Sequence, residues 1–167
     1  AMAEMAVHQD TAIQALENAL RVRPRSFAAR MSLGMFFHQL ARFYSEASAE
    51  AERSRQSNDR VSLLRQQAFH HRVKSSDHLQ EAIKLYPGQA HARYYAARAG
   101  EEGAPGTDAR AQYAEALRLS DLAALERLVR LELSHWQKAR ALLALDRGGE
   151  ARSMLESVSC PDSAPEP

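Results

Sequence analysis

Three phrases of one design punctuate this chain: Asn18-Ala19-Leu20-Arg21-Val22-Arg23-Pro24, Glu81-Ala82-Ile83-Lys84-Leu85-Tyr86-Pro87 and Glu115-Ala116-Leu117-Arg118-Leu119-Ser120-Asp121. Each sets alanine beside a large aliphatic residue, follows with a basic one and closes on proline or aspartate. The last two close 34 residues apart. Self-similarity at a period of about 34 marks a repeated supersecondary unit, and at that length the unit is a pair of helices. One pair cannot bury its apolar face alone, so such units stack into a quasi-linear all-α array with an open binding surface in place of a closed pocket.

The composition suits helices. A chain of 167 residues buries roughly 70% of its unfolded surface, enough for a core without disulfides or metals. Alanine and arginine abound and β-branched residues are few, which favours helix because alanine loses no side-chain entropy and β-branched residues lose χ1 freedom. Of 22 basic residues only Lys74, Lys84 and Lys138 are lysine, a usage that points to a GC-rich genome more than to chemistry. A formal charge of +1 supplies no long-range field for nucleic acid or an anionic bilayer, so neither partner is expected. Apolar stretches fall far short of the roughly 20 residues that span a bilayer, and no basic-then-apolar leader opens the chain. The single Cys160 has no internal partner and builds no thiolate metal site, which leaves the compartment open between cytoplasm and periplasm. Ala1-Met2 reads as a cloning scar, so residues 1–10 are expected to be a scar or stub on a domain cut from a longer protein.

Residues 11–22 place Ile13, Leu16, Ala19 and Leu20 at helical spacing, with Pro24 beyond the last turn. Ser26 caps a helix through Met31, Leu33-Gly34 and Phe37 to about Leu40, and a second helix is expected over 43–55. Between Met35 and Pro87 there is neither glycine nor proline, and Ser57-Asn58-Asp59 is the obvious break. Beyond it, either Asp59 and Ser76 or Asp77 cap two separate helices, or one helix runs over 60–85. The lack of turn chemistry from Gln66 to Lys74 favours the long or kinked helix. Pro87-Gly88 restarts the pattern with a helix over 89–99, Gly100 to Gly106 reads as a loop, and Thr107 or Asp108 caps the next helix. One long helix is expected over 121–145, a turn at 146–151 and a closing helix over 150–158. The Pro/Ser/acidic residues 159–167 read as a flexible tail, which leaves 11–158 as a single domain.

Two motifs carry a resemblance to a known family. Leu33-Gly34-Met35-Phe36-Phe37 resembles the latter part of the Trp-x-x-Leu-Gly-x-x-Tyr first-helix motif of tetratricopeptide repeats, whose glycine lets the partner helix approach closely. Ala109-x-x-x-Tyr113-x-x-Ala116-Leu117 is similar to that family's second-helix motif. Ala41-Arg42-Phe43 takes the place of the family's small residue and aromatic at the turn, with one residue more than the usual spacing after it. The resemblance implies a right-handed superhelical solenoid of antiparallel helix pairs, about four irregular repeats long. It also implies a protein-protein interaction module that binds a peptide or protein in a concave groove lined by first helices. By register, that face carries the pairs Met31/Met35, Tyr94/Arg98 and Trp136/Arg140, with His38 and His91 beside them. An arginine fork beside a ring suits a carboxylate next to an apolar side chain, and methionines adapt to varied partners. The plainer reading of each pair is a packed ring and a solvated arginine. A subclass of the family clamps chaperone tails with lysine and asparagine; Met31 and Met35 stand at those positions here, so such tails are not expected as partners.

His70-His71 and His78 form the one metal-like group, but His71 and His78 on a continuous helix lie about 10.5 Å apart along the axis, too far to share an ion. They read as solvated histidines, and no metal or cofactor is expected. There is no Gly-rich phosphate loop, nucleophile elbow or His-Glu-x-x-His, and Glu101-Glu102 beside Gly103 reads as a solvated loop. An enzyme in its own right is therefore not expected. Two further readings are a soluble regulatory or assembly domain of a larger, possibly membrane-bound, enzyme such as a glycan polymerase or ligase, and a scaffold that self-assembles. In the scaffold the N-terminal helix would make the homo-oligomer, because Ile13, Leu16 and Leu20 want cover.

Overall fold

A computed structural model describes the backbone of residues 2–125 and 132–159 and the side chains of 11–124 and 132–158. The described residues form helices and turns with no strand: α1 (Met2–Val22), α2 (Phe27–Arg53), α3 (Asn58–Leu85), α4 (Ala90–Glu101), α5 (Ala109–Leu125), α6 (His135–Ala144) and α7 (Gly148–Ser159). Each helix packs on its successor in the chain, and α2 also reaches α4. None of them is long and apolar enough to cross a membrane.

The N-terminal half departs from repeat-sized units. α2 has 27 residues and α3 has 28, so each rises roughly 40 Å, and the two form one long antiparallel hairpin. The turn expected at Ala41-Arg42-Phe43 does not form. Leu40 to Tyr44 contains no glycine, proline, asparagine or aspartate, so nothing there competes with helix, and Ala41 is fully buried as part of the seam. The same logic keeps α3 continuous, in line with the long-helix reading of 60–85; its cap lies two residues before Asp59, at Ser57, which accepts from the Arg60 amide. At the tip, Arg55 takes a left-handed φ of 53° and closes α2 as glycine more often does. At the N-terminus α1 begins at Met2, so residues 2–10 lie in the same helix as Thr11. Ile13, Leu16 and Leu20 are half-buried rather than bare, because α2 lies against α1.

The C-terminal half holds shorter pairs, α4 with α5 and α6 with α7. Asp108 accepts from the Ala111 amide to start α5. The phrase that ends in proline after α1 and α3 ends in Asp121 here, and α5 runs on to Leu125. The single helix expected over 121–145 is interrupted: Ser134 caps α6 in a reciprocal capping box with Gln137, and the buried Ser120 hydroxyl accepts from the Leu133 amide at 2.8 Å. That side chain draws the chain back onto α5 before α6 begins. Residues 126–131, and the tail from Cys160 onward, lie outside the described residues.

Two apolar clusters hold the helices together. Leu79 and Ile83 of α3 meet Ala92 and Ala96 of α4, with Phe27 and Met31 of α2 packed against them. Tyr94, Tyr113, Ala116, Leu117, Leu142 and Ala151 join α4 to α7. Small alanines let the axes approach and the tyrosines fill the volume between. Gly34 meets Leu79 across the α2–α3 seam: a Cβ there would lie 2.6 Å from Leu79 Cγ. The family-like glycine thus admits a close helix, but that helix is α3.

Candidate functional site

A polar network lies where α2, α4, α5 and α6 converge. Its centre is the C-terminal end of α4. Glu101 is the last residue of that helix and Glu102 is its C-cap, so both belong to the helix end and not to a solvated loop. Arg98 stands three and four residues earlier, within 3.8 Å of each carboxylate. Glu101 Oε2 also accepts from Tyr113 Oη of α5 at 2.8 Å and from Arg140 Nη2 of α6 at 2.9 Å. From α2, His38 Nδ1 approaches Glu102 Oε2 to 3.7 Å.

Burial sets the charge states. His38 is 5% exposed; desolvation, with Arg98, Arg42 and Arg140 nearby, lowers its pKa to about 4. It is therefore neutral at pH 7, which explains why it makes no close ion pair with Glu102. Burial raises the Glu102 pKa, against the pull of Arg98, Arg42, Arg72 and Arg140. Burial, the hydrogen bond to Glu101 and that carboxylate's charge push the Tyr113 phenol far above its usual range. Burial works against the charge of Arg140, and its bonds to Glu101 and Tyr113 more than restore it, holding its pKa above the usual arginine value. Glu102 Oε2 and Arg98 Nε are buried without a hydrogen bond, a costly arrangement that keeps the network electrostatically incomplete. Four arginines thus surround two glutamates and a neutral imidazole.

Of the residues singled out from the sequence, His38, Arg98 and Arg140 meet in this network. Trp136 stands one turn before Arg140 on α6, with 75% of its surface exposed, more than any described phenylalanine or tyrosine. Tyr94 is buried, edge-on to Tyr113 at 5.8 Å and to Tyr95 at 5.4 Å, so its ring has no outward face. Met31 is half-buried against the Leu79 cluster, and Met35 is half-buried in α2. His91 is half-buried on α4, its pKa lowered by that burial. Glu101, Glu102 and Tyr113 were not among the site residues read from the sequence. The spacing of Arg98 to the two glutamates is the i, i+3 and i, i+4 signal that marks helical ion pairs.

The histidines of α3 divide. His70 is exposed, whereas His71 and His78 are half-buried and each stacks with Phe37. The expectation of solvated histidines fails for these two, because α3 turns them into the seam with α2. Comparison with family models, with curated proteins and with solved structures gave no match to this chain.

Proposed function

We propose that the chain is a protein-protein interaction module, a tetratricopeptide-like solenoid of irregular helix pairs whose partner is a peptide or protein. The observation that carries this reading is Trp136, exposed on α6 one turn from Arg140. Arg140 keeps 48% of its side chain open while Glu101 holds its guanidinium at 2.9 Å. Glu101 is in turn fixed by Tyr113, so the arginine is set in place before any partner arrives, which lowers the entropy lost on binding. Leu143, one further turn along and also exposed, extends the stripe. Tryptophan and arginine are the residues most enriched at binding hot spots, and a partner that fits offers an apolar side chain to Trp136 and an acceptor to the free edge of Arg140.

The test is affinity capture with the wild-type chain and with Trp136→Ala/Arg140→Ala. Both side chains are open enough that the helical circular dichroism should be unchanged, while the captured partner is lost. Capture that survives the double substitution sinks the assignment of this face.

A further inference from the structure

The α2–α3 seam carries a column of rings that the proposed interaction face does not use. Tyr44 stacks on His71 with ring centres 5.3 Å apart, His71 on Phe37 at 5.8 Å, and Phe37 on His78 at 5.7 Å, each pair within 17° of parallel. The column is spaced in heptads: Arg30, Phe37 and Tyr44 on α2, His71 and His78 on α3. Seven residues are close to two turns, so each set stays on the face its helix turns to the seam.

Arg30 closes the column, its Nη1 lying 3.2 Å from His78 Nδ1. A guanidinium only donates, so Nδ1 is the bare nitrogen of a neutral imidazole. His71 Nδ1 is buried with no hydrogen-bond partner, so a proton placed there meets no acceptor. Lys74 Nζ lies 5.0 Å from the Phe37 ring centre, already a cation against the stack. For His78, Arg30 of α2 and Lys74 of α3 oppose a second charge, while Glu17 of α1 and Asp77 of α3 favour it. His71 faces the uncharged rings of Tyr44 and Phe37 on α2, with His70 and Lys74 on its own helix. Burial is the largest influence on both imidazoles and holds both neutral.

We propose that the ring column is a proton-operated latch: neutral His71 and His78 seat α3 on α2, and protonation of the two frees the open end of the hairpin. Because the seated imidazoles hold protons less tightly than free ones, the latch is fully closed above pH 6.5, the free value, and weakens as pH falls below it. With a free value of 6.5, that linkage limits the gain of the opened form at pH 5.5 to at most about tenfold per histidine and about a hundredfold for the pair.

Hydrogen exchange of the full chain at pH 7.5 and pH 5.5, corrected for intrinsic exchange, tests it. Amides of residues 27–45 and 69–85 are expected to open more at pH 5.5, by no more than the hundredfold limit, while those of α4 and α5 change far less. His71→Phe/His78→Phe, which keeps rings but no titratable nitrogen, is expected to remove the acceleration. Should that variant fail to fold, the imidazole proton resonances of the wild-type chain decide instead, with both histidines titrating below 6.5. Titration at or above 6.5, equal acceleration in α4 and α5, or acceleration that persists in the double variant would each overturn the latch.

Discussion

Replacing Gly34 with alanine probes the close approach of α2 to Leu79 of α3. The added Cβ would sit 2.6 Å from Leu79 Cγ and 2.8 Å from Cδ2, where carbon pairs prefer about 3.5–4.0 Å. Relief therefore needs a shift of about 1 Å. Cγ is the branch point of a side chain with no exposed surface, so it cannot swing aside, and α3 must retreat or Leu79 must leave its rotamer. Such overpacking costs about 1–3 kcal/mol. Retreat also stretches the bond from Ser75 Oγ to the Gly34 carbonyl, now 2.8 Å and buried, at about 1 kcal/mol. Alanine's better helix propensity returns about 1 kcal/mol. The net expectation is a loss of about 2 kcal/mol, or about 4–8 °C in Tm for a chain of this size, read by urea and thermal unfolding followed at the helical circular dichroism band. Leu79→Ala alone should cost about 2–5 kcal/mol through its cavity; combined with Gly34→Ala it should cost at least about 1 kcal/mol less than the sum, because the new methyl fills part of the space. A Gly34→Ala protein as stable as wild type, or a strictly additive pair, would refute the contact as the reason for glycine.

Other expectations follow from the network and the caps. The His38 pKa is depressed in the fold to about 4, so its contribution to stability is complete above pH 6.5 and declines as pH falls toward 4, by about 3 kcal/mol in all; denaturation midpoints of His38→Gln should fall less steeply over that range than those of wild type. Tyr113→Phe removes one donor to Glu101 and should cost about 1.5–3 kcal/mol, measured by the same unfolding curves. Ser134→Ala breaks the capping box of α6 and should lower stability by about 1 kcal/mol. Trp136→Ala, at an open position, should change stability by less than about 0.5 kcal/mol, so any loss of binding is not a loss of folding.

The residues themselves foretold more of the fold than the family pattern did. The run from Met35 to Pro87 without glycine or proline favoured one long helix over 60–85 and is equally compatible with an unbroken α2; the turn at Ala41-Arg42-Phe43 came from the repeat template, and the local chemistry overruled it. The interruption before α6 had a readable sign in Ser134-x-x-Gln137, the capping-box spacing, overshadowed by the apolar run that follows. Around the site, Arg98 and its two glutamates are one helix turn apart and open to sequence reasoning. His38 and Arg140 join them only through tertiary packing, His38 from 64 residues upstream of Glu102 and Arg140 from 39 residues downstream of Glu101. No periodicity encodes a meeting of that kind. Tyr94 and Arg98 share a helix stripe, yet the first is sealed by Tyr113 and the second turns to the helix end.

The short turn between α2 and α3 orders events in the folding of this hairpin. Near the tip, Arg65 pairs with Glu52 across 13 residues, whereas Arg30 and His78 at the far end are 48 apart. Closing the larger loop outright costs about 1 kcal/mol more in chain entropy than the smaller. Pairing that starts at the tip and propagates avoids that barrier, because each new contact extends a loop already closed and contact order stays effectively local. The consequence is a hairpin that assembles from Arg55 outward, with its two stacked histidines set toward the end that forms last.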